Sequence, residues 1–462
     1  MRSCAGLRIA RSSNWIEALK SRIAVAAATL LAVVSVASAA KAQSTIRLSL
    51  DDARNAARTT SPDLRAATSA VEAARGRELQ AGAIPNPVLA YSTERTSGAG
   101  QQNQQHIVAI EQRVELGGQR NARTDAATFR RRAAEARLEA ARASLDFEVA
   151  KAYAIAVGAD RKVALSRQAA AAFSEAARVS QRRLASGDIS VYADRRLRLE
   201  AARYAAMEVE SVLAQRAGRV ALASLISTSP DSMGVFTATL IDSLPVAVPS
   251  LGLSGLQALA TRNRSDFKVA SLEADALAAE GRLVARERIP TPVLSGGYKT
   301  ERSGDIPVTL SGFAAGISLP LGLWDRRRGA IQAAGAEVRR AEAEKEAVRR
   351  RVLREVVEAY DALIAVEQQR TLLAPQLGAQ SAAAVRSAQT AYAEGEISLL
   401  EWLDAVRAYH EAESAYSNLL SEFFVRRATL ERAIASPLTS PVVLEGHPPL
   451  RAIPTLQSDK QS

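Results

Sequence analysis

The sequence predicts a mainly α-helical chain with a small membrane β-barrel contribution, built as a duplicated helix–strand–strand–long helix–turn–helix unit. Three observations predict this. Short motifs recur in order at offsets of 205, 207 and 208 residues. Two long stretches nearly lack proline and carry a narrow apolar stripe. Four short alternating segments interrupt the helical pattern.

Composition points the same way. Of the 462 residues 47% are hydrophobic, yet only 4% are aromatic, so Ala, Val and Leu supply the apolar surface. Small apolar residues among many charges suit long packed helices. The single Cys4 excludes a disulfide framework and a cysteine zinc site. His106, His410 and His447 are scattered without a paired-histidine motif. No phosphate loop, nucleophile–base pair or carboxylate dyad has supporting context. The reading is therefore of a non-enzyme with no catalytic, cofactor or metal residues.

The elements follow in order. Arg2, Arg8, Arg11, Lys20 and Arg22 precede an apolar run over 23–36, and Ala40-Lys41-Ala42 follows. A basic region, a short apolar run and a small-x-small site predict an export signal over 1–42. The run is shorter than the ~20 residues of a spanning helix. Six of the bases behind the net charge of +11 lie in this leader, so the basicity is not a nucleic-acid footprint.

Ile84-Pro85-Asn86-Pro87-Val88-Leu89 recurs as Ile289-Pro290-Thr291-Pro292-Val293-Leu294. Thr93-Glu94-Arg95 recurs as Thr300-Glu301-Arg302, and Gly187-Asp188-Ile189-Ser190 as Gly395-Glu396-Ile397-Ser398. The repeats span 43–230 and 252–435, joined by a Ser/Pro/Gly-rich linker over 231–251. Each opens with a helix, at 50–83 and 253–288, which the Pro-x-Pro pair stops. Strands are expected at 88–94, 107–114, 293–301 and 308–319, with Phe313, Ala315, Ile317 and Leu319 on one face.

Helices are then expected over 119–185 and 325–393, each on the order of 100 Å long at 1.5 Å per residue. Leu138, Leu145, Val149, Ala152, Ala156 and Val163, and again Val348, Val352, Val356, Ala359, Leu363 and Val366, form the stripe of a coiled-coil seam. Turns at Gly187 and Gly395 lead into return helices over 191–226 and 399–434. A glycine there tolerates the φ > 0 of a sharp reversal. After Ser436 five prolines exclude further helix, leaving a tail over 436–462. A membrane barrel needs about eight or more strands and no free edge. Four strands therefore imply closure by association between copies.

With this plan and its two Gly-centred turns, the sequence from Leu48 to about Ala435 resembles the TolC family of outer-membrane channel proteins. Asn86-Pro87-x-Leu89 and Glu115-Leu116-Gly117-Gly118-Gln119-Arg120 look like the outer-membrane subunits of cobalt–zinc–cadmium type cation efflux systems. The resemblance implies a homotrimer with a twelve-stranded barrel in outer-membrane lipid and a periplasmic α-helical tunnel. It implies a passive duct for heavy-metal cations, and as partners a periplasmic adaptor and an inner-membrane pump of the resistance-nodulation-division type.

It also implies sites. The tips Ser186, Gly187, Asp188 and Glu394, Gly395, Glu396 would contact the adaptor. Glu401 and Asp404 would form a periplasmic gate. Residues three apart share a helix face, so three copies would stack two acidic rings; Ala193 and Arg196 hold the equivalent first-half positions. Other readings remain: a duct for drugs or polypeptides, or a non-conducting coiled-coil protein of the envelope. Both acids also fit a solvated helix face. His410, near the seam of the return helix, reads as packed or solvated, and Trp324 and Trp402 read as packing or interfacial residues.

Overall fold

The computed structural model describes residues 47–98, 101–227, 238–241, 251–303, 308–377, 379–394 and 396–438. The expected leader, most of the linker, Gly395 and the tail beyond 438 lie outside these residues. Two compact units are present. In the small one, β1 (Arg47–Leu48) pairs in parallel with β4 (Thr239–Leu240), a strand that the linker composition does not announce.

The large unit holds the duplication. Its first half runs α1 (Leu50–Thr60), α2 (Pro62–Ala81), β2 (Val88–Gly98), β3 (Gln101–Arg113), α3 (Gln119–Ala185) and α4 (Val191–Ile226). The second runs α5 (Leu253–Asn263), α6 (Ser265–Arg286), β5 (Val293–Ser303), β6 (Thr309–Ser318), α7 (Arg328–Leu373), α8 (Ala379–Glu394) and α9 (Leu399–Ile434).

Three expected helices are broken. The opening helix of the first half divides at Ser61 (φ −59°, ψ 121°), because the residue before Pro62 is driven out of the helical region. The second half divides at Arg264 with the same dihedrals and no proline. There the buried guanidinium joins Asp266 at 2.6 Å, Glu355 at 2.7 Å and the Ala433 carbonyl at 3.4 Å, so side-chain bonding takes the place of proline. Pro375 splits the stretch 325–393 through a 3₁₀ turn at Ala374–Gln376. Only α3, with 67 residues, reaches ~100 Å as one rod.

The seam is where the spacing puts it. Val352, Val356, Ala359, Leu363 and Val366 are buried, packed with Leu256, Leu420 and Phe423. In α3, Val149, Ala156 and Val163 are buried, while Leu138, Leu145 and Ala152 are half-buried. Helices α2, α3, α6 and α7 pack side by side in that order. Arg131–Glu78 and Arg130–Glu280 pairs tie α3 to both neighbours. A trough of about 690 Å³ runs along them, lined by alanines such as Ala74, Ala133 and Ala276.

The junction between sheet and helices is built by Glu115–Arg120. Gly118 takes the left-handed conformation (φ 71°) at the start of α3. Buried Gln119 accepts from the Gly117 amide at 2.8 Å and donates to the Ile289 carbonyl at 3.1 Å. Arg120 and Arg123 donate to the Gly82 and Ala81 carbonyls at the end of α2. Arg123 also pairs with Glu115 at 2.8 Å. The six-residue motif and Arg123 thus satisfy carbonyls that a helix end leaves open.

The four strands form one antiparallel sheet in the order β2-β3-β5-β6. β2, β3 and β5 are longer than the alternation predicts, because polar residues at the hairpin ends still pair across the sheet, whereas β6 lies within the expected 308–319.

Candidate functional site

Three regions hold the residues that the sequence singles out: the sheet faces, the helix tips and the acidic start of α9. Register sorts the sheet residues. Leu89, Tyr91, Val108, Ile110, Leu294, Tyr298, Phe313 and Ile317 share one face. All eight are exposed, Phe313 by 95%. Beyond β6 the apolar surface continues through Leu319, Leu321, Leu323 and Trp324, the last 92% exposed. An apolar surface this continuous marks a contact with lipid or another chain. The opposite face carries Glu94, Glu111, Arg113, Lys299 and Glu301 among Ala90, Ala109, Gly297 and Ala314. The face predicted for Phe313, Ala315 and Ile317 is thus present, and it points outward from the chain. Among the described residues no helix is long and apolar enough to cross a membrane.

The first tip is a compact helix reversal. Gly187 (φ 82°) follows α3, its amide donating to Leu184 O at 3.1 Å, while the Asp188 amide donates to Arg183 O at 2.8 Å. This is the paired hydrogen-bond pattern of a Schellman cap, which needs a left-handed residue at the position of Gly187. Ser186 Oγ donates to Asp188 at 2.7 Å. The second tip repeats the longer bond, from the Glu396 amide to Ala391 O at 2.8 Å. The serines that close the two repeated motifs cap the return helices. Ser190 Oγ accepts from the Ala193 amide of α4, and Ser398 Oγ accepts from the Glu401 amide of α9. The repeat draws attention to the glycines rather than to these serines, although a Ser before an apolar helical run is a capping signal.

Glu401 and Asp404 are exposed on the first turns of α9. Glu401 completes a capping box by accepting from the Ser398 amide at 2.7 Å. That backbone bond, with the Ser398 hydroxyl, holds its carboxyl below the usual carboxylate range. Asp404 meets Arg407 at 3.4 Å, and Arg407 reaches Glu200 of α4 at 2.7 Å. Among the described residues, neither acid bonds to one expected at the tips. Behind them lies an aromatic cluster that spacing alone does not assemble: Trp402 stacks on Tyr392 at 5.7 Å, and Phe173 on Tyr204 at 4.2 Å. Among the described residues no group of three His, Cys, Asp or Glu is placed to hold a metal ion.

The family described as "Outer membrane efflux protein" matches residues 53–226 and 256–436, and the chain belongs to it. It is 24% identical over 397 residues to the cobalt-zinc-cadmium resistance protein CzcC of Cupriavidus metallidurans, covering 84% of this chain and 90% of that one. It is 26% identical over 292 residues to the nickel-cobalt-cadmium resistance protein NccC of Alcaligenes xylosoxydans xylosoxydans, covering 62% and 64%. Its fold is similar to that of the Campylobacter jejuni CmeC outer membrane channel, with a TM-score of 0.69 at 16% identity over 83% of this chain and 85% of the other.

Proposed function

We propose that the chain is the outer-membrane subunit of a tripartite efflux system, a passive duct that carries heavy-metal cations from periplasm to exterior. The observation that carries this is an open four-stranded sheet with an exposed apolar face, in a chain of the efflux family. Both free edges of that sheet need partners in a membrane, where unpaired backbone groups are costly. Three copies close them as a twelve-stranded barrel, with the apolar face to lipid and the charged face to the lumen. The helices continue the barrel as a periplasmic tunnel. Likeness to two metal-resistance proteins supports the cargo.

The tips around Gly187 and Gly395 meet a periplasmic adaptor, which links the duct to an inner-membrane pump of the resistance-nodulation-division type. Six carboxylates, Glu401 and Asp404 from each copy, ring the periplasmic mouth and attract cations. The bonds from the Ser398 cap favour the ionised form of Glu401.

The test uses purified protein in planar bilayers. The wild type gives trimers in detergent and cation-selective channels blocked by trivalent ions from the periplasmic side. The double variant Glu401→Ala/Asp404→Ala keeps the trimer and loses selectivity and block. A stable monomer in water overturns the duct; unchanged selectivity and block overturn the acidic mouth alone.

A further inference from the structure

Among the described residues, the apolar sheet face ends in cations and carries no carboxylate. Register puts Arg95, Gln104, Arg302 and Thr309 in one cross-strand row, two rows beyond Tyr91, Val108, Tyr298 and Phe313 toward the hairpin ends. Both arginines are exposed, and among the described residues neither has a carboxylate partner; Arg95 donates to Gln102 at 2.9 Å. The three carboxylates of the strands, Glu94, Glu111 and Glu301, all lie on the opposite face, where Lys299 pairs with Glu301 at 3.0 Å. The carboxylates of the strands are therefore confined to one face, and the arginines of the other face stand toward its hairpin ends.

Height fixes what these cations meet. Four residues at ~3.4 Å each span about 14 Å along a strand. At a barrel tilt of about 40° the row of arginines stands ~10 Å above the aromatic row. Tyr and Phe at a membrane boundary sit at headgroup level, and the long Arg stem carries its charge further into the polar layer. The intervening row, Thr93, His106, Thr300 and Ser311, holds no carboxylate, lysine or arginine. The hairpin ends project away from the helices along the chain order, so a periplasmic tunnel sets this row in the outer leaflet.

We propose that Arg95 and Arg302 bind the phosphate groups of outer-leaflet lipid, so that the trimer carries a belt of six guanidinium groups. The proposal rests on the reading that this face meets lipid in a closed barrel. Guanidinium is planar and binds phosphate oxygens in pairs, with geometry that a hydrated ammonium lacks. Arginine, not lysine, holds both positions. Among the described residues this row of cations has no acid on its own face, and anionic headgroups supply the counter-charge.

The experiment is a titration of the detergent-solubilised trimer with bis-phosphorylated lipid A, read as the midpoint of thermal trimer dissociation. The wild type is expected to gain stability with lipid A and not with its dephosphorylated form or with inorganic phosphate. In the double variant Arg95→Gln/Arg302→Gln the apparent lipid affinity falls about tenfold or more, as loss of charged hydrogen bonds predicts. Glu94→Gln, on the other face of the same strand, retains the wild-type response. An equal response in wild type and double variant overturns the proposal, as does an equal response to the dephosphorylated lipid or to phosphate alone. Failure of the barrel reading is distinguished by the same samples: no trimer and no bilayer conductance in the wild type.

Discussion

His410 couples helix packing to pH. Its imidazole is buried, its Nε2 has no partner among the described residues, and Tyr204 meets its ring edge-on at 5.2 Å. Burial pushes its pKa below the ordinary 6.5, Glu411 works against that shift, and Lys162 adds to it. A folded value below the unfolded one means that the unfolded chain binds the proton first. The stability contribution of the neutral ring is present in full above about 6.5 and is lost as pH falls from there through the lowered folded value. His410→Leu removes that dependence. Melting of the trimer in detergent between pH 7 and 5 is expected to fall more steeply for the wild type than for the variant. Parallel curves would show that the ring carries no linkage. The sequence places His410 at the seam through its spacing on α9; it does not show Tyr204, which arrives from α4 206 positions earlier in the chain.

Among elements, the crossing of α3 and α9 joins the two halves. Gly158 is what lets them approach: a Cβ there would stand 1.9 Å from Ser421 Oγ and 2.9 Å from its Cβ. Helix propensity favours Ala over Gly by about 1 kcal/mol, and the clash opposes it with about 1–3 kcal/mol. The clash wins, because Ser421 Cβ cannot rotate away. Gly158→Ala is expected to lower the melting midpoint, and Gly158→Ala/Ser421→Gly to recover most of the loss. A more stable single variant would refute the close approach. Such contacts are invisible in one sequence, since periodicity reports which face is apolar and not which neighbour it meets. What periodicity does report is correct here: α4 and α9 occupy 191–226 and 399–434, as the apolar spacing and the Gly turns predict. The break at Ser61 is written in Pro62 and the split of the long helix in Pro375. The break at Arg264 is not, because its cause is a buried ion network of residues up to 169 positions apart.

At the scale of the whole molecule, the strand count says more than any motif. Four strands with free edges cannot span a membrane alone, so the proposed duct requires closure between copies. The same sheet gives a sharp test of which face is which, because Ile110 and Glu111 are neighbours in β3 that point to opposite sides. Ile110 lies in the middle apolar row with Leu89 and Ala315; Glu111 lies with Ser295 and Gly316 on the charged face. An arginine on the lipid side of a barrel costs about 2–4 kcal/mol at the bilayer midplane, whereas a lumen substitution acts on selectivity. Ile110→Arg, repeated three times by symmetry, is therefore expected to cut the amount of trimer recovered from outer membranes severely. Glu111→Arg should assemble at wild-type levels and shift bilayer currents away from cations. If the two variants assemble equally well, the apolar face does not meet lipid. If Glu111→Arg alone fails to assemble, the faces are assigned the wrong way round, and the lumen is lined by Leu89, Tyr91 and Phe313.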